Sequence, residues 1–212
     1  MLETTKLPLF MVASLVLLLT PGPAVLYIIT RSVDQGRGAG LLSVLSIETG
    51  NFFHVIAATL GLSALLLSSA TLFTVVKYLG AAYLIYLGIR KWLTRAEVQE
   101  ETLQLRNENP RRIFSQGVIV AILNPKTTLF FLAFLPQFVD GARGSIPLQM
   151  FELGSIFIIM AFITDSLYAL LAGTAGQWLK ENRLFLQGER YIAGSVYVGL
   201  GLVAALAKTT HK

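Results

Sequence analysis

The chain has 212 residues, of which 54% are hydrophobic and only 14% charged, and this composition is too apolar for a soluble domain of that length. Cysteine is absent, which excludes disulfides, thiolate metal sites and CxxC redox chemistry. The net charge of +5 does not indicate nucleic-acid binding, because the basic residues lie in short loops between apolar segments, where they fix the orientation of a membrane protein.

Six apolar segments follow one another along the chain and leave almost no residues for a soluble domain. A helix rises about 1.5 Å per residue, so each segment is long enough to cross the hydrocarbon core of a bilayer. The segments cover residues 7–30, 39–67, 70–89, 114–139, 148–173 and 190–207. The sequence therefore predicts one all-α, multi-pass membrane domain over residues 1–212, surrounded by lipid.

The first apolar segment is interrupted near its middle by Thr20-Pro21-Gly22-Pro23. The two prolines lack the N–H groups that would continue the helix, and the glycine between them weakens it further. A threonine followed by a proline is also typical of an N-cap with proline at the first helical position. We therefore expect a broken helix, with a second half-helix that Thr20 caps.

The second segment is the most polar of the six, since it carries Glu48, Asn51 and His54. Steps of three place neighbouring members of this set near one helix face, so they form a skewed stripe that must avoid lipid. We assign Asn51 to a substrate site, and Glu48 and His54 to ion coupling. The alternative for Asn51 and His54 is hydrogen bonding to neighbouring helices. For Lys77 in the third segment, the alternative to a functional role is a position at the membrane surface, which its long aliphatic stem can reach.

The fourth segment repeats the pattern of the first at Asn124-Pro125-Lys126, again a capping residue followed by proline. Free backbone groups in lipid cost several kcal/mol each, so two matching breaks must face protein or a water-filled cavity. Half-helix N-termini together with Lys126 suit a carboxylate, while a nearby acid suits an ammonium group. The sequence thus predicts a binding site for a zwitterion, formed by Thr20, Pro21, Gly22, Pro23, Asn51, Asn124, Pro125 and Lys126.

The fifth segment contains Asp165, the acid that lies deepest within an apolar stretch, and Tyr168 follows three residues later. An acid in such a place is usually functional, so Asp165 is our first candidate for a proton carrier or an ammonium partner, with Glu48 next. The alternative is that Asp165 stays ionised and pairs permanently with Lys126 or Lys77.

The two halves of the chain resemble each other beyond the prolines, since 33–38 after the first segment is similar to 139–144 after the fourth. We expect two three-helix repeats, 1–89 and 114–212, joined by the charged cytoplasmic loop 90–113. Because three is an odd number, the second repeat must be inverted relative to the first, which is a transporter architecture. The loops on one side hold eleven Lys and Arg residues against four on the other, which places both termini outside the cytoplasm.

These motifs together resemble the lysine-exporter superfamily, in its branch of homoserine, threonine and leucine exporters. The resemblance covers nearly the whole chain. It implies a six-span secondary exporter in the cell inner membrane that carries amino acids or their analogues, is proton-coupled and forms a homodimer. The residues that carry it are 20–23, Gly36, Gly40, Thr49, Gly50, His54, 79–84, Leu87, Gly88, 124–126 and 135–138.

Two other function classes compete with an amino-acid exporter. A non-transporting membrane receptor or scaffold would explain the spans, but it has no reason to keep two proline breaks in lipid. An ion transporter would use the acids and His54 as ligands, but the lysines argue against a cation cage. There is no GxSxG, HExxH or P-loop motif, so we expect no enzyme, no catalytic residue, no metal and no cofactor.

Overall fold

The structure of the protein is a computed structural model that describes residues 5–62, 64, 70–93, 109–181 and 183–206. All regular elements within these residues are helical. The helices are α1 (Leu7–Leu19), α2 (Pro23–Gln35), α3 (Arg37–Ala57), α4 (Ala70–Leu93), α5 (Pro110–Ile122), α6 (Pro125–Leu129), α7 (Ile146–Glu181) and α8 (Arg183–Leu206). α3 continues as the π-helical turn Ala58–Leu62, and α6 continues as the π-helical turn Phe130–Phe134 and the 3₁₀ turn Leu135–Phe138.

The predicted break in the first apolar segment is confirmed, because α1 and α2 meet at an angle of 51°. Thr20 precedes a proline and is extended, as such residues tend to be. The prediction that Thr20 caps the second half-helix is wrong. Pro23 takes the first helical position and extended Gly22 takes the N-cap, so the Thr20 hydroxyl instead donates back to the Val16 carbonyl of α1 at 2.7 Å.

The predicted break in the fourth segment is also confirmed, with an angle of 41° between α5 and the helix that follows. Here the capping prediction is correct. The side chain of Asn124 accepts a hydrogen bond from the backbone N–H of Lys126 at 3.1 Å, and Pro125 occupies the first turn. The second break is therefore stabilised by residues that are adjacent to it in the sequence.

Two single helices are long and apolar enough to cross a membrane, Arg37–Gly61 and Ile146–Thr174. Each of the two bent pairs adds one more span if it is counted as a single crossing, which makes up to four candidate spans in the described part of the chain. The last apolar segment contributes a shorter apolar part of α8, Gly194–Leu206. Residues 63 and 65–67 of the second segment and the side chain of Lys77 lie outside what the structure describes.

Three of the stretches that separate the predicted apolar segments are more helical than expected. Residues 31–38, between the first two segments and basic in character, are almost entirely helical, because α2 continues to Gln35 and α3 begins at Arg37. Gly36 lies between them with φ of 86°, a left-handed conformation that lets the chain change direction within one residue. Likewise, α7 continues to Glu181 beyond the fifth predicted segment, and α8 begins at Arg183 before the sixth. α5 begins at Pro110, because Asn109 caps it.

The helices pack into two groups. α2, α3, α5 and α7 surround the two breaks, whereas α4 and α8 pack along each other and contact the remainder mainly through the π-helical turn Phe130–Phe134. The α4–α8 contact is close: a Cβ at Gly88 would lie 2.6 Å from the Gly194 carbonyl oxygen. Large apolar side chains such as Leu60 and Leu79 are exposed on the outside, as expected of a surface that faces lipid.

Candidate substrate site at the two helix breaks

A small cavity lies where both breaks meet α3 and α7. Its volume is about 20 Å³, which is room for about one water molecule. In this conformation the cavity is therefore too small for an amino acid. The lining residues are Leu18, Ala24, Val25, Ile47, Asn51, Asn124, Lys126, Thr127, Phe157 and Asp165.

Lys126 connects the two breaks directly. Its side chain is only 6% exposed, and its Nζ donates to the backbone carbonyl of Thr20 at 2.5 Å. Asp165 lies close enough to the same ammonium group for an electrostatic interaction. The Lys126 ammonium group, which belongs to the second break, thus binds the Thr20 carbonyl, which has no helical hydrogen-bond donor because of the first break.

Tyr168 holds the neighbouring carbonyl of the first break. Its hydroxyl donates to the backbone oxygen of Leu19 at 2.9 Å. That oxygen would bond the N–H of residue 23 in a continuous helix, but Pro23 has none. The sequence places Tyr168 near Asp165 but does not indicate this role. The signal that could have revealed it is the need of the freed carbonyl for a hydrogen-bond donor.

The acids predicted for coupling lie together with Asn51, and all three side chains are buried. Asn51 and Asp165 line the cavity. Asn51 Nδ2 donates to Glu48 Oε2 at 3.2 Å, and the carboxyl groups of Glu48 and Asp165 lie close enough to interact electrostatically. The amide oxygen of Asn51 is buried and has no hydrogen-bond donor among the described residues. The two acids and Lys126 together are electrically neutral when the acid pair carries one proton.

The remaining candidates occupy less central positions. His54 does not line the cavity: its Nε2 lies 3.1 Å from the Ala121 carbonyl oxygen, and its ring stacks on Phe131 with the centroids 6.1 Å apart. These contacts agree with the alternative to ion coupling, in which His54 bonds to neighbouring helices. Pro21 is half-buried and Pro23 and Pro125 are exposed, so the prolines shape the breaks without lining the cavity.

The sequence does not single out every lining residue. Thr127 and Phe157 are buried and line the cavity, but a single threonine or phenylalanine in an apolar segment carries no signal that separates it from the core. Among the described residues, no group of three or more His, Asp or Glu side chains could hold a metal ion.

Three relatives are similar to the chain over nearly their full lengths. An uncharacterised membrane protein of Bacillus subtilis, YrhP, is 32% identical over 199 residues, covering 90% of this chain and 94% of its own length. An uncharacterised membrane protein of Vibrio cholerae is 29% identical, with 94% and 96% covered. A homoserine/homoserine lactone efflux protein of Salmonella typhimurium is 28% identical, with 94% and 95% covered.

No solved structure matches the chain. The family described as LysE type translocator matches residues 15–208. This match covers both helix breaks, the acid pair and Lys126, and it agrees with the apolar, multi-pass helical architecture. The chain therefore belongs to the family of LysE type translocators, and it is a multi-pass membrane protein.

Proposed function

We propose that the protein is a secondary exporter that moves amino acids or close analogues out of the cytoplasm by alternating access around the two helix breaks. The observation that carries this proposal is the buried cluster at the cavity. It offers donors and a cation on one side, at Lys126, and acceptors on the other, at Glu48, Asn51 and Asp165. Such a site is complementary to a zwitterion.

The substrate carboxylate would bind at the side formed by Lys126 and the start of α2. The first N–H groups of a helix have no partner within it, and the residues after Pro23 that carry them, Ala24 and Val25, both line the cavity. The positive end of the helix dipole adds to the charge of Lys126. The carboxylate then takes the place that the Thr20 carbonyl now holds at the ammonium.

The substrate ammonium would bind on the opposite side of the cavity. The Asn51 amide oxygen is a buried acceptor with no donor among the described residues, and the acid pair next to it supplies negative charge. A buried acceptor of this kind gains a hydrogen bond when the substrate arrives.

The acid pair is our proposed coupling element. Two carboxyl groups in contact repel each other when both are ionised, so the pair accommodates one proton, which also makes the cluster with Lys126 neutral. A bound ammonium group favours the loss of that proton, because it replaces the positive charge. Exchange of a proton for the substrate ammonium would couple export to a proton gradient.

The larger architecture belongs to the same proposal. Six spans would form two inverted three-helix repeats, with a break in the first helix of each, and the matching positions of the two bent pairs support this arrangement. The excess of Lys and Arg places loop 90–113 in the cytoplasm and both termini outside.

Reporter fusions test the orientation. A reporter that is active only outside the cytoplasm should be active when fused after Lys212, and a cytoplasmic reporter at the same position should be silent. The opposite pattern would contradict the topology. A fusion in loop 90–113 provides the matched control, because it should give the reverse result.

The function is tested by efflux from proteoliposomes loaded with a panel of labelled amino acids, homoserine and homoserine lactone. Folded protein should release at least one of them faster than protein-free liposomes do. Release of none of them by folded, oriented protein would refute the proposal. Binding without release would indicate a receptor, and release of inorganic cations alone an ion transporter.

A further inference from the structure

Arg31 is a buried cation that the proposed mechanism does not use. It lies on α2, eight residues after Pro23, and is 2% exposed. At about 1.5 Å per residue this places it about 12 Å from the first break. Arginine is almost never fully buried unless it is paired, and inside a membrane protein such a residue is generally functional.

The contacts of Arg31 connect α2 to α5. Its Nη2 donates to the side-chain oxygen of Gln116 at 2.5 Å, and its guanidinium lies 5.2 Å from the centre of the Tyr27 ring. The Tyr27 hydroxyl in turn donates to the Ile113 carbonyl at 2.7 Å. We call Tyr27, Arg31 and Gln116 the inner cluster, because the proposed orientation places it towards the cytoplasm.

A second observation points to a ligand at the inner cluster. Gln35 follows Arg31 by four residues, so it lies on the same face of α2. Its Nε2 is buried and has no acceptor among the described residues. The end of α2 therefore holds a guanidinium bonded to a neutral amide and, one turn further on, a buried donor that lacks an acceptor.

A carboxylate fits this pair of donors better than the Gln116 side-chain oxygen does. A guanidinium binds a carboxylate through two parallel hydrogen bonds between opposite charges, whereas Gln116 offers one neutral oxygen. The second carboxylate oxygen would also be within the reach of a donor one turn away on the same helix face, such as that of Gln35.

Along α2, apolar residues lie between the inner cluster and the cavity. Ala24 lines the cavity, and Ile28 follows it on the helix face that leads to Arg31. The side chains that pack with them are small or β-branched. The inner layer formed by these residues consists of Ala24, Ile28, Val44, Ile47, Ala121 and Ala169.

On the opposite side of the cavity the apolar layer is aromatic. Phe157 lines the cavity and stacks on Phe130 with the ring centroids 4.8 Å apart, and Phe130 packs in turn on Phe134 at 5.1 Å. Large interlocked rings are a thicker barrier than the small side chains of the inner layer. We therefore expect access to the cavity to open more readily on the side of the inner cluster.

We propose that Arg31, with Gln35, forms an inner binding site for the substrate carboxylate, at which the guanidinium exchanges the Gln116 oxygen for the carboxylate before the substrate passes to the cavity. The exchange also breaks a hydrogen bond between α2 and α5, so binding loosens the inner side. This inference rests on the proposed function, since it assumes that the protein exports amino acids.

The test compares a substrate that has a free carboxylate with one that lacks it. Homoserine and homoserine lactone form such a pair, because ring closure removes the carboxylate and keeps the ammonium. Transport is measured in inside-out vesicles for the wild type, Arg31→Gln and Arg31→Lys. The matched control is Arg37→Gln, which removes the same charge from an exposed position six residues away.

Arg31→Gln should raise the KM for homoserine about tenfold and leave the KM for the lactone within about twofold of the wild type. The KM of Arg31→Lys for homoserine should lie between those of the wild type and Arg31→Gln, since lysine keeps the charge but cannot form two parallel hydrogen bonds. Arg37→Gln should change neither KM. Equal effects on both substrates, or no effect on either, would overturn the inference.

A further variant keeps the test decisive if Arg31→Gln does not fold. Gln116→Leu removes the competing acceptor, so the KM for homoserine should fall and that for the lactone should stay. A purely structural contact predicts no difference between the substrates, and that result would again overturn the inference. If the wild type exports another amino acid instead, that amino acid and its methyl ester replace the pair.

The two proposals fail in different ways. Wild-type protein that transports no amino acid or analogue refutes the proposed function. Wild-type transport combined with Arg31 variants that behave like Arg37→Gln refutes only the inner site.

Discussion

The two helix breaks look alike in sequence but are held in different ways. The second is completed locally, since the Asn124 side chain caps the helix that follows. The first begins its second half with glycine at the N-cap and has its freed carbonyls bonded by distant residues, Leu19 by Tyr168 and Thr20 by Lys126. A break completed by distant partners can change conformation when those partners leave, whereas a locally capped one persists.

Lys126 gives this difference its meaning for transport. It belongs to the second, locally capped break, and its side chain stabilises the first. In the proposed mechanism a substrate carboxylate competes with the Thr20 carbonyl for the same ammonium. Occupancy of the site is thereby linked to the conformation of the first break.

Replacing Lys126 by Met should have the largest effect on both breaks. It removes the donor to Thr20 and leaves the buried acids without their cation, and breaking a buried charged contact costs about 3–5 kcal/mol. Efflux per folded molecule should be abolished, and the yield of folded protein should fall. The matched control Arg143→Gln, at an exposed site, should retain both. Wild-type efflux from Lys126→Met would remove this lysine from the site.

Replacing the prolines should affect transport more than insertion. Proline inside a helix costs about 3 kcal/mol, so alanine at positions 21 and 23 together, or at position 125, lowers the penalty for a helix that continues across the break and buries its free amides. Pro21→Ala combined with Pro23→Ala should lower efflux more than Pro125→Ala, because Asn124 still caps the second break. Both should reach the membrane at wild-type levels. Labelled efflux at the wild-type rate from both variants would show that the breaks are not the site.

The smallest expected effect separates the two capping positions. Asn124→Ala should lower the free energy of unfolding by about 1 kcal/mol through loss of the cap. Thr20→Val, which keeps the shape and removes only a hydroxyl that bonds back to its own helix, should lower it less. Thermal unfolding in detergent measures both. A larger loss of unfolding free energy for Thr20→Val than for Asn124→Ala would contradict the conclusion that the second break, and not the first, is capped locally.

The sequence predicts those parts of the structure that short-range chemistry determines. Both breaks follow from prolines that remove backbone donors, and the cap at Asn124 follows from its position before a proline. The polar stripe of Glu48 and Asn51 follows from helical spacing. These predictions depend on residues a few positions apart, so a single amino-acid sequence is sufficient to make them.

The rest depends on contacts between residues that are far apart in the chain. Lys126 and Thr20 are 106 positions apart, and Tyr168 and Leu19 are 149 apart, so spacing carries no information about either bond. The burial of Arg31 was missed because its basic character suggested a loop. It is helical because Gly36 alone makes the turn to α3.

The central claim, that the buried acid pair couples export to protons, is tested most directly by Asp165→Asn. The amide resembles the protonated acid in shape and cannot release a proton, so the variant should fold normally and lose the stimulation of efflux by a pH gradient. Glu152→Gln, an acid on the same helix that does not line the cavity, is the matched control and should keep that stimulation. The measurement is efflux from proteoliposomes with and without a pH gradient, normalised to folded protein. Gradient-stimulated efflux that survives in Asp165→Asn would contradict the account.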